Sequence, residues 1–227
     1  MSETHNKKEP EIRIMHNGPY IVSGSVPLSR QTLVCNFSGD SVAWKEGEHY
    51  PVQESYALCR CGGSHNKPFC DGTHLKHHFD GTETASRVPY LERAEWTEGP
   101  DIRLGDAPGF CSHARFCVRG KGIWELVEES GDPDARKTAI QMAADCHSGR
   151  LVIRDRKTGT PIEPDFEKSI GLVEGPIKGH SGPLWVRGGI PVISADGFIY
   201  EIRNRVTLCR CGKSGNQPFC DGSHMRQ

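Results

Sequence analysis

The sequence has no excess of charge of either sign, because 28 lysines and arginines stand against 29 aspartates and glutamates in 227 residues. A net charge of −1 gives no basic surface for the phosphate backbone, so nucleic-acid binding is not expected. The chain also lacks an apolar run near the roughly 18 residues that a membrane-spanning helix needs. We therefore predict neither a nucleic-acid partner nor a membrane span.

The first residues lack the apolar core of a secretory signal and carry charge from residue 3 onward. We predict a flexible, solvated tail over residues 1–10 and a cytoplasmic location. Hydrophobic residues make up only 35% of the chain, while glycine and proline contribute 26 and 15 residues. This composition favours short strands and loops around modest cores.

Ten cysteines stand out from this even composition. Without a secretory signal, metal ligation is a better explanation for them than disulfide bonding. Six of them fall in a pattern that occurs twice, C-x-C-x8-C-x3-H. The candidate ligands are Cys59, Cys61, Cys70 and His74 in the first copy, and Cys209, Cys211, Cys220 and His224 in the second. We call residues 59–74 the first metal loop and residues 209–224 the second.

Three thiolates and one imidazole suit a thiophilic metal centre, and both zinc and iron–sulfur clusters use such ligands. Cys70 and His74 are four residues apart, so one helical turn would aim both at the same centre. Asp71, at the start of that turn, and its counterpart Asp221 are expected to cap backbone N–H groups rather than bind metal.

Smaller residues in each loop suggest supporting roles. We expect glycines to let backbone N–H groups approach the sulfur atoms, serines to add hydroxyl donors to them, and prolines to stiffen the turn. These residues are Gly62, Ser64 and Pro68 in the first loop, and Gly212, Ser214 and Pro218 in the second.

A second repeat accompanies the metal loops, since residues 18–28 align with residues 182–192 as short strands. Residues 56–58 and 206–208 likewise favour strands that feed the two loops. A unit of about 45 residues buries little core alone. We therefore predict that the two units pack on each other about a pseudo-two-fold axis.

The segment between the units differs in character. Asp132 and Pro133 favour the start of a helix that ends near Ala144, and residues 155–178 are predicted to form a loop. The predicted organisation is a tail (1–10), a first metal unit (11–90), an inserted domain (91–180) and a second metal unit (181–227).

Both metal loops resemble the CDGSH iron–sulfur domain of the mitoNEET-type family. Each matches its pattern C-x-C-x2-[ST]-x3-P-x-C-D-G-[ST]-H, and residues 79–83 resemble the family as well. The resemblance implies a [2Fe–2S] cluster at each loop, held by the three cysteines and the histidine named above. It also implies an α+β, β-rich fold with strands exchanged between paired units, a small inserted α/β domain, and a soluble monomer with an internal pseudo-dimer.

The central segment resembles, more weakly, a divergent single-cluster ferredoxin-type domain. The resemblance rests on the stretch from Cys111 to Cys117 and on the stretch that follows Cys146. A cluster of that type is held by four cysteines, and this segment has three. His113 or His147 could supply the fourth ligand, but a structural role without metal is favoured.

These features predict a redox or cluster-transfer protein with two [2Fe–2S] clusters and an unidentified redox partner or cluster acceptor. No nucleophile–base pair or phosphate-binding loop is apparent, so an enzyme is not predicted. Two alternatives remain. One is a zinc-stapled interaction module, and the other is a module that engages a partner through the central segment.

Overall fold

The structure is a computed structural model that describes residues 8–176 and 181–226, so most of the predicted N-terminal tail lies outside the described residues. It is a β-rich α+β fold with three sheets and a few short helices. The α-helices are α1 (Thr73–Lys76), α2 (Tyr90–Arg93), α3 (Ile123–Glu128) and α4 (Pro133–Asp145). Short 3-10 segments occur at Pro108–Phe110, Phe116–Val118 and Ser223–Arg226.

Sheet A joins four strands, which are β1 (Glu11–Ile14), β2 (Tyr20–Ser23), β5 (Ser55–Leu58) and β12 (Val192–Ile193). Sheet B joins β3 (Leu28–Cys35), β4 (Ser41–His49), β10 (Ser169–Glu174), β11 (Ser181–Arg187) and β13 (Arg205–Leu208). Sheet C joins β6 (Glu95–Glu98), β7 (Ile102–Asp106), β8 (Leu151–Asp155) and β9 (Pro161–Ile162). The strand orders are β12-β1-β2-β5 in A, β13-β11-β10-β3-β4 in B and β6-β7-β8-β9 in C.

Sheets A and B each contain strands from both ends of the chain. In sheet A, β1 pairs in parallel with β12, and Ile12 lies opposite Val192. In sheet B, β3 pairs in parallel with β10, which pairs with β11 in turn. The chain thus passes from sheet A to sheet B between β2 and β3, and from sheet B to sheet A between β11 and β12.

Two hydrophobic cores lie on these sheets. The larger core is shared by sheets A and B, and alternation along β1 supplies it with Ile12 and Ile14 while Arg13 faces solvent. The smaller core lies between sheet C and the helices α3 and α4, where Leu104 and Ile153 are fully buried. The two strands that feed the metal loops, β5 and β13, belong to the larger core.

Helix α4 begins where the sequence predicted it. The Asp132 carboxylate accepts hydrogen bonds from the backbone N–H groups of Asp134 and Ala135, and Pro133 occupies the first helical position. Its buried face includes Ala139 and Ala143. The helix ends at Asp145, which places Cys146 directly after it.

The prediction of a loop over residues 155–178 was wrong. Strand β10 lies in the middle of sheet B, between β3 and β11. It is buried on both faces from Ile170 to Val173 and so has no alternation of polar and apolar residues that would indicate a strand. The glycines, prolines and charged residues around β10 are typical of loops, so they also argued against a strand.

None of the helices in the described part of the chain combines the length and the apolar character that crossing a membrane requires.

Candidate metal centres

The four candidate ligands of each metal loop stand as two pairs. In the first loop, the sulfur atoms of Cys59 and Cys61 are 3.8 Å apart, and Cys70 Sγ lies 3.4 Å from His74 Nδ1. In the second loop the corresponding distances are 3.6 Å and 3.4 Å. Within residues 8–176 and 181–226, no three His, Cys, Asp or Glu side chains are grouped to hold a single metal ion.

Backbone pairing brings the two pairs of each loop together. Strand β5 delivers Cys59, whose N–H donates to Pro68 O at 2.8 Å, while Cys70 N–H donates to Ala57 O at 2.9 Å. The second loop folds back onto β13 through the same two bonds, from Cys209 N–H to Pro218 O and from Cys220 N–H to Thr207 O. The peptide bond before the proline of each loop is cis.

The aspartates cap backbone groups, as predicted. Asp71 accepts hydrogen bonds from the N–H groups of His65 and Thr73, at 2.8 and 3.0 Å. The Thr73 side chain and these N–H groups lower the pKa of the Asp71 carboxyl, so it stays ionised. Asp221 accepts from Gly215 and Ser223 in the same way.

The prediction that the loop serines donate to sulfur was wrong. Ser64 Oγ donates to Phe69 O at 2.6 Å, and Ser214 Oγ donates to Phe219 O at 2.7 Å. Each hydroxyl also accepts the N–H two residues further on, which is the local hydrogen bonding that serine favours in tight turns.

Backbone N–H groups supply the donors to sulfur instead. Gly63 N–H points at Cys61 Sγ at 3.4 Å, and Gly72 N–H points at Cys70 Sγ at 3.5 Å. In the second loop, Gly222 N–H lies 3.4 Å from Cys220 Sγ. Such donors stabilise charge on a metal-bound sulfur and influence the potential of the centre.

The two metal loops touch each other at a pair of glycines. Gly62 and Gly212 have φ values of +78° and +77°. A Cβ at Gly62 would lie 2.6 Å from Cys211 O, and one at Gly212 would lie 2.5 Å from Cys61 O. Because the two contacts are reciprocal, each loop approaches the other with the same backbone segment. These glycines therefore allow the loops to pack, in a backbone conformation that other residues rarely adopt.

A buried tyrosine and a buried arginine of the first unit extend to the second loop. Tyr20 donates its hydroxyl to Cys209 O at 2.7 Å and contacts Pro218 O at 3.1 Å. Arg60, only 1% exposed, donates from Nε to Gln217 Oε1 at 3.1 Å. Sequence reasoning missed both residues. The sequence does single out Arg60, because an arginine separates the first two cysteines in both loops.

We expect Tyr20→Phe to speed the loss of metal from the second loop, since it leaves a buried carbonyl without its donor at a cost of about 1–2 kcal/mol. Tyr56→Phe is the matched control, because the Tyr56 hydroxyl is also buried but donates to Val26 O, which belongs to neither loop. The half-life of the visible absorption of each loop is measured in both variants and distinguishes their effects. Equal effects of the two variants would show that the Tyr20 contact has no special role.

The second loop is covered by the central segment. Asn216 Nδ2 donates to Gly109 O at 2.9 Å, and Phe110 packs edge-on against Phe219 at 5.4 Å between ring centroids. The His113 ring lies over Gly222, where an added Cβ would come within 2.0 Å of it. At Gly72, the counterpart in the first loop, an added Cβ would meet nothing within 4 Å. The two loops are therefore alike in sequence but unlike in exposure.

Arg205 attaches the central segment to the strand that precedes the second loop. Its guanidinium is buried and donates to the carbonyl oxygens of Ala143, Cys146 and Leu151 at 2.8, 2.8 and 3.0 Å, and it pairs with Glu163. Ala143 lies in the last turn of α4, and its carbonyl also accepts a hydrogen bond from Cys146 N–H at 3.1 Å. The arginine thus binds the carboxyl end of the helix and holds Cys146 beside β13.

Burial shapes the protonation of the second loop. The hydrogen bond between Cys209 and Cys211, together with burial, raises the pKa of the Cys209 thiol. Burial raises the pKa of the Cys220 thiol to about 12. Burial, His113 and Arg210 lower the pKa of His224 to about 4. Metal binding must therefore displace protons from the thiols, whereas the imidazole is already neutral at pH 7.

The central segment brings its three cysteines to one small cavity. Cys111, Cys117 and Cys146 line it together with His113 and His147. Burial, with the neighbouring Cys146, raises the pKa of Cys117 to about 11. His147 is 1% exposed, and burial lowers its pKa to about 3. Both candidate histidines therefore lie at the cavity, but only His147 is buried.

Family models match the chain in three places. The model described as an iron-binding zinc finger of CDGSH type matches residues 17–75 and 181–225. The model described as a divergent 4Fe-4S mono-cluster matches residues 97–156, between them. No curated protein and no solved structure matches the chain. The chain thus matches a tandem CDGSH protein, with two CDGSH-type segments and a divergent iron–sulfur segment between them.

Proposed function

We propose that the chain is a redox or cluster-transfer protein with one [2Fe–2S] cluster in each metal loop. The ligands are Cys59, Cys61, Cys70 and His74 in the first loop, and Cys209, Cys211, Cys220 and His224 in the second. The arrangement of these donors in pairs is the observation that carries the proposal. A [2Fe–2S] cluster takes two protein ligands on each of its two irons.

When bound, a cluster of this kind supplies a one-electron redox centre, and an imidazole ligand raises its potential relative to four thiolates. The chain's own residues hold that centre in three ways. Each loop folds back on its strand and fixes the pairs of donors, backbone N–H groups point at Cys61 Sγ and Cys70 Sγ, and Asp71 fixes the turn that presents His74.

The histidine gives the site its second property. An imidazole that accepts a proton no longer binds iron, so one ligand of four can be released without unfolding the loop. A thiolate bound to iron resists protonation more strongly. A centre with this weak point suits cluster transfer or proton-coupled electron transfer, and we propose a carrier of electrons or clusters rather than an enzyme.

The two units are proposed to form an internal pseudo-dimer with exchanged strands. Two observations support it. The chain crosses between sheets A and B twice in each unit, and the loops approach each other reciprocally at Gly62 and Gly212. Such pairing explains how units too small to bury a core alone become stable within one monomer.

A reducing compartment such as the cytoplasm fits the cysteines. None of the ten forms a disulfide in the described part of the chain. Disulfides are rare where thiols are kept reduced, and ligand thiols must stay reduced to take up a cluster.

Metal analysis tests the proposal against zinc. The variant Cys111→Ser/Cys117→Ser/Cys146→Ser removes the central thiols, so it should contain about four irons and about four sulfides per chain, and absorb in the visible. Further loss of Cys59 and His74 should halve that content. A colourless protein with about one zinc per loop, isolated anaerobically from iron-supplied cells, would establish the zinc-stapled module instead.

A further inference from the structure

The two metal loops present the same outer face to different surroundings. We call three positions the outer face of each loop, which are Asn66, Phe69 and Gly72 in the first and Asn216, Phe219 and Gly222 in the second. Both sets contain the same three residue types at the same spacing. The two faces can therefore make the same contacts, and a segment that fits one of them also fits the other.

Residues 109–113 of the central segment cover the outer face of the second loop. They offer a backbone carbonyl to the Asn216 amide at 2.9 Å and an aromatic ring to Phe219 at 5.4 Å between centroids. The His113 ring lies over the bare backbone of Gly222. One short segment thus supplies an acceptor, a ring contact and a flat cover at the three positions of the face.

The outer face of the first loop is open. The Asn66 side chain is exposed and makes no hydrogen bond among the described residues. A Cβ added at Gly72 would meet nothing within 4 Å. Phe69 and Cys70 are half-buried, whereas their counterparts in the second loop are only 4% and 2% exposed. The first loop therefore has the contact residues but lacks the segment that would cover them.

Exposed apolar side chains lie beside this open face. Leu75 is 72% exposed, and its N–H donates to Gly72 O at 3.0 Å, so it borders the face directly. Met15 is 44% exposed and lies near the candidate ligand His74, because a Cβ at Gly18 would be 3.0 Å from Met15 Cβ and 3.8 Å from His74 Nε2. Apolar side chains exposed together beside a functional centre are typical of a surface that binds another protein.

We propose that the outer face of the first loop, with Leu75 at its edge, is a docking surface for a separate single-cluster protein that matches the same family model as residues 97–156. The partner presents a carbonyl oxygen to Asn66, an aromatic ring to Phe69 and a flat ring to Gly72, as residues 109–113 do on the second loop. The role of that partner as an acceptor of electrons or clusters rests on the proposed function, but the docking surface does not.

A second copy of the chain does not fit this surface. Its residues 109–113 already contact the outer face of its own second loop, so they are not free to cover Gly72 of a neighbour. A separate protein whose corresponding segment is uncovered meets the requirement. The first loop then exchanges electrons or clusters with the partner, while the chain's own central segment keeps the second loop covered.

Calorimetric titration of the full chain, isolated with its metal centres, tests the proposal. The probe is a stand-alone protein that matches the same family model as residues 97–156, and one probe should bind per chain. Leu75→Glu should weaken binding at least about tenfold, because the contact would bury an unpaired charge. Asn66→Ala should weaken it about two- to tenfold, through the loss of one hydrogen bond. Met225→Glu is the matched control beside the covered second loop and should bind as the unmodified chain does.

The visible absorption of both metal loops reports whether each variant folds and keeps its metal centres. No binding at about 100 μM of the probe would overturn the proposal, as would binding that Leu75→Glu and Asn66→Ala leave unaltered. Self-association of the unmodified chain in sedimentation, abolished by Leu75→Glu, would overturn it in favour of a second copy. Binding through this face without electron or cluster transfer would support the docking surface and contradict the proposed function instead.

Discussion

At about pH 5, iron should leave the first metal loop roughly tenfold faster than the second, so that the visible absorption decays in two phases. In both loops, protonation of the histidine competes with iron for the imidazole nitrogen. The difference arises from the cover on the second loop, where His113 lies over Gly222, whereas the space around Gly72 in the first loop is open.

The sign of the effect follows from the pKa of His224, which burial, His113 and Arg210 lower to about 4. A free histidine titrates near 6.5, so the unfolded chain takes up a proton earlier than the folded second loop does. Falling pH therefore reduces the stability of this loop gradually between about 6.5 and 4. In the folded loop, however, the His224 imidazole stays unprotonated down to about pH 4. The loop therefore retains its iron between pH 6.5 and about pH 4.

Single substitutions assign the two phases. His74→Cys should slow only the fast phase and lower the potential of the first cluster, while His224→Cys should slow only the slow phase. His113→Ala uncovers His224 and should accelerate the slow phase. Stopped-flow absorption after a pH jump measures these rates. A decay that the double substitution of His74 and His224 by Cys leaves unaltered would show that another ligand controls release.

The pairs of candidate ligands could be predicted from the sequence because their members are close along the chain. Cys70 and His74 lie on one turn, and Cys59 and Cys61 flank one residue, so spacing alone pairs them. The start of α4 was equally local, since Asp132 caps the next few residues. Strand β10 escaped prediction because its residues are buried on both faces and its partner β3 lies about 140 residues away.

The differences between the two loops could not be read from their sequences, which are nearly identical. They depend on which distant residues pack on each loop. Tyr20 and Arg60 contact residues that lie more than 150 positions away in the sequence. His113 covers the second loop and has no counterpart over the first. Such contacts are set by the order of strands in sheets A and B, and no local pattern records that order.

Gly62→Ala should destabilise the chain by about 3 kcal/mol or more and shorten the lifetime of both clusters. A residue with a side chain pays about 1–2 kcal/mol for the left-handed backbone that Gly62 adopts, at φ +78°. The larger contribution comes from contact, because the new Cβ would lie 2.6 Å from Cys211 O, a backbone atom of the other loop. Backbone atoms cannot turn aside as a flexible side chain can, so the loops must separate.

Gly39→Ala separates the two contributions. Gly39 has nearly the same φ, +82°, but an added Cβ there meets nothing within 4 Å, so only the backbone cost of about 1–2 kcal/mol is expected. Chemical denaturation gives the free energies, and visible absorption gives the cluster lifetimes. The variant Gly62→Ala/Gly212→Ala should be worse than either single change by only the second backbone cost of about 1–2 kcal/mol, because the first substitution already separates the loops. If Gly62→Ala behaved like Gly39→Ala, or shortened only the lifetime of the first cluster, the reciprocal packing of the two loops would not contribute to their stability.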